Sequence, residues 1–454
     1  MGHLDELNEE DIIIENLGRP KIESPIRGVA AQDQTAGESR HKYFVSDDDR
    51  VVVEISQKSF LDCFQKGKAP LSFEKAGPRR KIFFDPKKVK CAIVTAGGLC
   101  PGQNDVIRSI VLELYFIYGV QNVIGIPYGY QGFIPKYGHP VIDLTPERVS
   151  YIHELGGTIL SSSRGQYKTE DIVDAIQQLN INILFTIGGD GTLKGADSIA
   201  QEIKRRGLFT AVIGIPKTID NDISLVEKSF GFETAVEDAA KVIRSAHVES
   251  LGAPNGIGMV KLMGRYSGFI AAYAALASRE VNFVLIPESD FDLEGSQGLL
   301  VSLEKRLKDR GHAVIVVAEG AGQKYLADLP QTKDPSGNIK LGDIGTFLAD
   351  RIRQHFTEIK MEINLKYIDP SYIIRSQPAN SNDRIFCGFL GQHAVHAGMA
   401  GKTNMMVSLW NNEYVHIPIR ATVAKRKQVD VRGNMWMSVL ESTGQPSLKN
   451  ITEV

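Results

Sequence analysis

The chain has 454 residues, 43% of them hydrophobic, and a net charge of −2 from 52 basic and 54 acidic side chains, enough to bury the cores of two or more domains. Its well-mixed charges leave no basic footprint for nucleic acid and no polybasic patch for a membrane, so a charged ligand must be met locally. No apolar run approaches the ~18 residues that span a bilayer. The polar start Met1–Glu6 is unlike a signal peptide, and Cys63, Cys91, Cys100 and Cys387 lack metal-ligand spacing, so free thiols and a cytoplasmic setting are expected.

In chain order, residues 1–88 show no regular alternation of strand and helix signals and carry charge runs at Asp47–Asp49 and Arg79–Lys81. They read as an N-terminal arm, a solvated extension without a catalytic part. Residues 89–95 then form a candidate strand, followed by the turn Gly97-Gly98-Leu99-Cys100-Pro101-Gly102 and a helix from Asn104, a geometry suited to phosphate. A strand-like run at 123–126 ends in a Gly- and Tyr-rich turn, and the small polar stretch 156–165 reads as a loop offering one arginine, Arg164, to a phosphate oxygen. Ile172, Val173, Ile176 and Leu179 fall at helical spacing before the next strand.

That strand, 181–187, runs into Gly188-Gly189-Asp190-Gly191-Thr192. Glycines let the backbone approach a ligand and leave N–H groups for anionic oxygens, whereas Asp190 would repel phosphate unless a divalent cation lay between. The loop therefore predicts a Mg²⁺-nucleotide site. Another apolar run, 211–215, leads into Pro216-Lys217-Thr218-Ile219-Asp220-Asn221-Asp222, adding two carboxylates at a second strand end. Together the two stretches suggest phosphoryl transfer.

Further on, Thr234 and Glu237 form a capping-box pattern ahead of a helix. The run 256–262 ends at Met263-Gly264-Arg265, a Ser267-Gly268 turn opens an alanine-rich helix, and the run 313–318 stops at Glu319-Gly320. Residues 328–342 read as a surface loop, lid or plain insertion, and Lys366-Tyr367-Ile368-Asp369-Pro370-Ser371-Tyr372-Ile373-Ile374-Arg375 has a composition suited to a sugar phosphate. His393 and His396 stand three apart on a helix over 386–400, where the absence of a companion carboxylate or cysteine favours a surface or core position over a metal pair. Taken singly, Asp220 and Asp222 also fit turn-formers, Arg265 a capping arginine, and Glu319 a strand-end ion pair.

The glycine turns, GGDGT, PKTIDND, MGR and an EG-ended strand occur in the order that resembles 6-phosphofructokinases, over roughly residues 88–435. The resemblance implies an α/β fold of two Rossmann-like three-layer domains with mainly parallel sheets and the active site in the cleft between them, plus the N-terminal arm. It places an ATP-binding domain at 89–233 with about 376–430 and a fructose 6-phosphate-binding domain at 234–375 with about 431–454. It implies ATP-dependent phosphorylation of the C1 hydroxyl of fructose 6-phosphate, a glycolytic step under allosteric control. By motif, Asp220 resembles the general base, Asp222 and Thr218 its neighbours, and Asp190 the Mg²⁺ ligand. Gly98, Arg164, Gly165, Gly189, Gly191 and Thr192 would line ATP, while Arg265 and Lys217 would supply positive charge to the moving phosphoryl group. Ile219, Met263, Gly264, Arg265, Glu319, Lys366, Tyr372, Ile373, Ile374 and Arg375 would form the sugar-phosphate pocket.

On the donor the sequence carries two signals. Gly191 resembles ATP users, since an aspartate there would crowd the α-phosphate, whereas Lys217 resembles pyrophosphate users; a mixed, ATP-dependent branch has this combination. The alternatives are a pyrophosphate-dependent enzyme and, from another class, an NAD or lipid kinase with a GGDGT loop, with Asn411-Asn412-Glu413 reminiscent of NAD kinases. The resemblance further implies a homotetramer or homodimer in which a neighbouring arginine, with Arg244 a candidate, completes the sugar-phosphate site.

Overall fold

The apolar runs Lys90–Thr95, Asn122–Ile126, Ile183–Gly188 and Ala211–Pro216 are short, nearly all-apolar and bounded by glycine or proline turns, as strands covered on both faces must be. In the computed structural model they are the parallel centre of a sheet. The structure describes residues 7–26, 43–328, 332 and 339–450. The chain divides into two units, one of Met1–Thr218, Ile223–Gly231 and Pro378–Arg426, the other of Ile219–Asp222, Phe232–Gln377 and Lys427–Val454.

The first unit holds a nine-stranded sheet in the order Arg50–Val52, Ser72–Lys75, Glu413–Pro418, Met405–Trp410, Ala211–Pro216, Ile183–Gly188, Lys90–Thr95, Asn122–Ile126, Ile142–Asp143. Pairing is parallel from Met405–Trp410 to Asn122–Ile126 and antiparallel at both edges. Because strand side chains alternate, Ala92, Val94, Leu184 and Val212 pack on one face with Ile172 and Ile176 of the Thr169–Gln178 helix and Leu193 and Ile199 of the Asp190–Arg205 helix. On the other face Ile183 and Phe185 meet Gly398 of the Ser381–Met399 helix. The result is three layers.

The sheet's first two strands come from the region expected to be a solvated arm. Ser72–Lys75 pairs with the Glu413–Pro418 edge, and Phe73 and Val53 bury themselves with Val415 and Ile417. Arg79, from a charge run expected at the surface, is buried and contacts Glu74 at 2.8 Å, while Glu74 also meets Lys402 at 3.0 Å and His416 Nδ1 at 2.9 Å. Strands of two to four residues are too short to show a period, which is why this edge was invisible in sequence.

Three local expectations change. Thr234 and Glu237 lie inside a helix that already starts at Phe232, so they do not cap it. Asn411 and Asn412 take φ of 48° and 62° and make the two-residue turn between Met405–Trp410 and Glu413–Pro418, a hairpin's demand for left-handed residues rather than a ligand pair. His393 stacks on Tyr414 at 4.6 Å and His396 Nδ1 lies 2.9 Å from the Tyr118 hydroxyl; burial keeps both neutral, pulling His393 down to about 3. His396 is buried in the core and His393 is half-buried beside it.

The second unit has a four-stranded parallel sheet in the order Phe283–Leu285, His312–Ala318, Gly256–Leu262, Asn364–Ile368. Ile257, Met259, Ile315 and Val317 pack with Leu303 and Leu307 of Leu299–Arg310 and with Leu348 and Ile352 of Ile344–Glu358. Gly256 and Gly258 let the long Phe232–Leu251 helix lie on the opposite face, where a Cβ on Gly258 would fall 2.5 Å from Ala246 O. Most of the expected loop at 328–342, namely 329–331 and 333–338, lies outside the described residues.

Candidate active site

In the first unit two glycine turns leave adjacent parallel strands at the same end. Thr95 pairs with Ile187, so Gly97-Gly98 and Gly188-Gly189 emerge side by side. Lys217 joins them: its backbone N–H donates to Gly188 O at 3.0 Å and its buried Nζ to Gly98 O at 2.7 Å. Gly188 is required by packing, since a Cβ there would fall 2.3 Å from the Thr192 side chain. Gly191 differs: a Cβ on it would meet nothing within 4 Å, so the first turn of the Asp190–Arg205 helix opens onto free space.

The loop 156–165 is stitched beneath these turns. Ser162 Oγ donates to Gly97 O at 2.6 Å, Thr95 Oγ1 to Ser161 O at 2.9 Å, and Asn104 Oδ1 accepts from Ile159 N at 2.9 Å. Arg164 and Gly165 are exposed at its end. Tyr130 donates to Thr192 O at 2.7 Å, and burial pushes its phenol well up, so it remains a donor. A helix N-terminus, two glycine turns and an ammonium form a cradle for an anion.

In the second unit the Gly256–Leu262 and His312–Ala318 strands end together. Glu319 N donates to Leu262 O at 2.9 Å and Gly320 N to Gly264 O at 3.0 Å, locking the two strand ends against each other. Gly264 adopts φ +124°, and a Cβ there would meet Ser267 O at 2.5 Å, so only glycine lets Met263-Gly264-Arg265 turn this sharply. Arg265 presents buried Nε and Nη2 with no hydrogen-bond partner among the described residues. Burial raises the Glu319 carboxyl, with Arg265, Lys261 and Arg375 pulling it back. Ser267 Oγ donates to Asp220 O at 3.2 Å, and Asp222 O accepts from Lys427 N at 2.9 Å, so the aspartate segment is tied down on this unit.

A family model described as phosphofructokinase matches residues 90–398. The chain belongs to the phosphofructokinase family. It is 51% identical over 449 residues to the ATP-dependent 6-phosphofructokinase of Borreliella burgdorferi, across 97% of this chain and 98% of that protein. To the ATP-dependent 6-phosphofructokinase of Amycolatopsis methanolica it is 44% identical over 447 residues, across 97% and 96%. A solved pyrophosphate-dependent phosphofructokinase from Marinobacter aquaeolei shares the fold, with TM-score 0.65 and 18% identity over 78% of this chain and 91% of that one.

Within this phosphofructokinase fold, the residues named from sequence separate into two groups. Gly98, Gly189, Asp190, Gly191, Thr192, Lys217 and Thr218 gather on the first unit; Ile219, Asp220, Asp222, Met263, Gly264, Arg265 and Glu319 belong to the second. Ile374 is fully buried, so only its backbone can face a ligand, whereas Tyr372 and Ile373 are exposed and the Arg375 guanidinium lies 4.7 Å from the Tyr372 ring centroid. Lys366 stands apart. It pairs with Gly258, four residues before Leu262, which places it about 13 Å down the strand from the site end. Arg244 is exposed on the Phe232–Leu251 helix.

Sequence reading missed several neighbours. Lys261 reaches Asp369 at 2.7 Å and Asp343 at 3.5 Å; burial opposes its charge, but Asp369, Tyr367 and Asp343 outweigh burial and raise its pKa. It ties the Asp369-Pro370 turn to the central strand, and its signal was a lysine interrupting an apolar run. Glu288 accepts from Gly268 N at 3.0 Å and Val429 N at 2.8 Å, holding the turn after Arg265. Asp190 is bound by Lys194, readable from its i+4 spacing, and by Arg426, which no local pattern announces.

Proposed function

We propose that the chain is an ATP-dependent 6-phosphofructokinase that transfers the γ-phosphoryl group of ATP to the C1 hydroxyl of fructose 6-phosphate, giving fructose 1,6-bisphosphate and ADP. The observation that carries this reading is the pair of glycine turns joined by Lys217, with open space at Gly191. A nucleotide has room there for its α-phosphate. Gly98, Gly189, Gly191 and Thr192 line the phosphates, with Arg164 and Gly165 at the nucleotide's outer side.

Asp190 is the residue for Mg²⁺. Among the described residues no three His, Cys, Asp or Glu side chains converge into a protein-only cage. One carboxylate at a helix N-terminus fits a cation that shares its ligands with phosphate oxygens, as Mg²⁺ does in nucleotide sites. When bound, the ion neutralises charge on the phosphates. Asp220 takes the C1 hydroxyl proton as that oxygen attacks, a task that needs position more than basicity. Arg265 and Lys217 hold fixed positive charge, and Arg265's unused donors suit a phosphoryl oxygen. Met263, Gly264, Glu319 and the 372–375 turn bind the sugar phosphate, and Lys366 is left out. Lys217-Thr218 belong to the donor unit and Ile219–Asp222 to the acceptor unit, so one short segment carries both chemistries.

Lys217 alone favours a second reading, a pyrophosphate-dependent enzyme. A coupled assay with fructose 6-phosphate and either ATP or pyrophosphate decides: the proposal expects turnover with ATP, and pyrophosphate as sole donor would overturn it. Unbridged cysteines suit the cytoplasm. Assembly into a homodimer or homotetramer is in keeping with the exposed Phe116, Ile117 and Ile385.

A further inference from the structure

Asp190 Oδ2 accepts from two cations. Lys194 Nζ lies 3.1 Å away, one helical turn on, and Arg426 Nη2 lies 3.1 Å away although 236 positions separate the residues. Lys194 is 55% exposed, whereas Asp190 is 17% and Arg426 34% exposed, so the arginine contact is the better shielded. Arg426 is also placed by its backbone, which forms an antiparallel bridge with Ile223, the residue after Asp222. The guanidinium is thus delivered to the carboxylate by the fold, independently of helix spacing.

Lys194 and Arg426 together take both lone-pair directions of Asp190 Oδ2, so a divalent cation bound through that oxygen competes with them. A bare metal ion binding through Oδ2 must displace Arg426 or Lys194 against a charge-assisted hydrogen bond, and it meets the repulsion of both cations wherever it binds on Asp190. A metal arriving on a nucleotide brings phosphate charge that compensates both. From this geometry we propose that Arg426 is a counter-cation on Asp190, given up when the divalent ion binds, so that free metal is turned away and the metal enters with the nucleotide. Arg426 is therefore a positioning residue of the donor site. The proposal rests on reading Asp190 as the metal carboxylate.

The test uses Mn²⁺ in place of Mg²⁺, with binding to the full-length protein followed by the loss of the free-ion electron paramagnetic resonance signal. Arg426→Ala should bind Mn²⁺ without nucleotide about threefold or more tightly than the wild type, because a competing cation is gone, whereas Arg426→Lys should stay near the wild type. The same Arg426→Ala variant should show a raised KM for the metal–ATP complex with a smaller change in kcat. A gain in metal affinity is not what a disturbed fold produces. Mn²⁺ affinity in Arg426→Ala equal to or weaker than the wild type, or undetectable, would overturn the exchange. Asp190→Asn separates the two readings, with retention of the Mn²⁺–ATP complex by the protein followed by equilibrium dialysis because ATP alone removes the free-ion signal: if the variant retains the complex as the wild type does, the assignment of Asp190 fails; if it retains it less while Arg426→Ala gains nothing, only the exchange fails.

Discussion

Lys217 Nζ donates to the carbonyl of Gly98 at 2.7 Å, across 119 positions of sequence, while the same residue's N–H holds Gly188. One residue therefore ties the two glycine turns together, through its backbone to one and its side chain to the other. Lys217→Met should lower kcat by about 100-fold or more, as loss of one preorganised charge does, with a stability cost of about 1–2 kcal/mol from the lost donor. Steady-state kinetics and thermal melts measure both. A kcat within a few-fold of the wild type would limit Lys217 to a structural tie.

Gly191→Asp makes the opposite test, because its Cβ meets no neighbour within 4 Å. The melting temperature should stay within about 2 °C. ATP turnover should fall by about 100-fold or more, since a carboxylate would fill space the nucleotide needs and repel its phosphate. Unchanged ATP kinetics would remove the steric argument for donor choice.

Asp220 is fixed through its backbone by Ser267 and sits in a segment that starts at the Lys217 tie. Asp220→Ser should keep the KM values for both substrates within a few-fold and lower kcat by about 10²–10⁴, the usual worth of a positioned base. Near-normal kcat would exclude it as the base.

Glu74 predicts a pH dependence of stability. Burial works against its charge, but His416, Lys402 and Arg79 outweigh burial and hold its carboxyl down from 4.5 to about 2. A value lower in the folded than in the unfolded chain stabilises the fold fully above pH ~4.5, and this contribution fades as pH falls toward 2. Glu74→Gln leaves Lys402 and Arg79 with only the exposed Asp47 carboxylate and should cost about 3 kcal/mol at pH 7, and less than half as much near pH 3. Denaturant titrations at the two pH values measure the difference; an equal cost at both would show that packing, not charge, matters at this site.

Glu113 has the opposite sign. Burial raises its carboxyl from 4.5 to about 7, so its ionisation opposes folding above pH ~4.5 and does so fully above about 7. Glu113→Gln should therefore stabilise the protein by about 1–3 kcal/mol at pH 8 and leave it unchanged near pH 4. A stability equal to or below the wild type at pH 8 would show that another group titrates in its place.

Much of this protein is legible in its sequence. Short apolar runs closed by glycine marked the strands Ile183–Gly188, Ala211–Pro216, Gly256–Leu262 and His312–Ala318, because a strand covered on both faces has no polar positions to hide its limits. The residues at those strand ends, Gly188 to Thr192, Lys217 to Asp222, Met263 to Arg265 and Glu319, were legible for the same reason: a parallel sheet collects its ligand groups where strands stop. Tertiary structure decided the rest. Glu74 and Arg79 look like surface charges until Lys402 and His416, more than 300 positions away, enclose them, and Lys366 looks like a site lysine until strand register sets it opposite Gly258. Arg426 carries no local signal whatever. Its contact with Asp190 exists only because the returning chain pairs with Ile223, and spacing along a sequence records what a helix or strand repeats, not what a fold brings together.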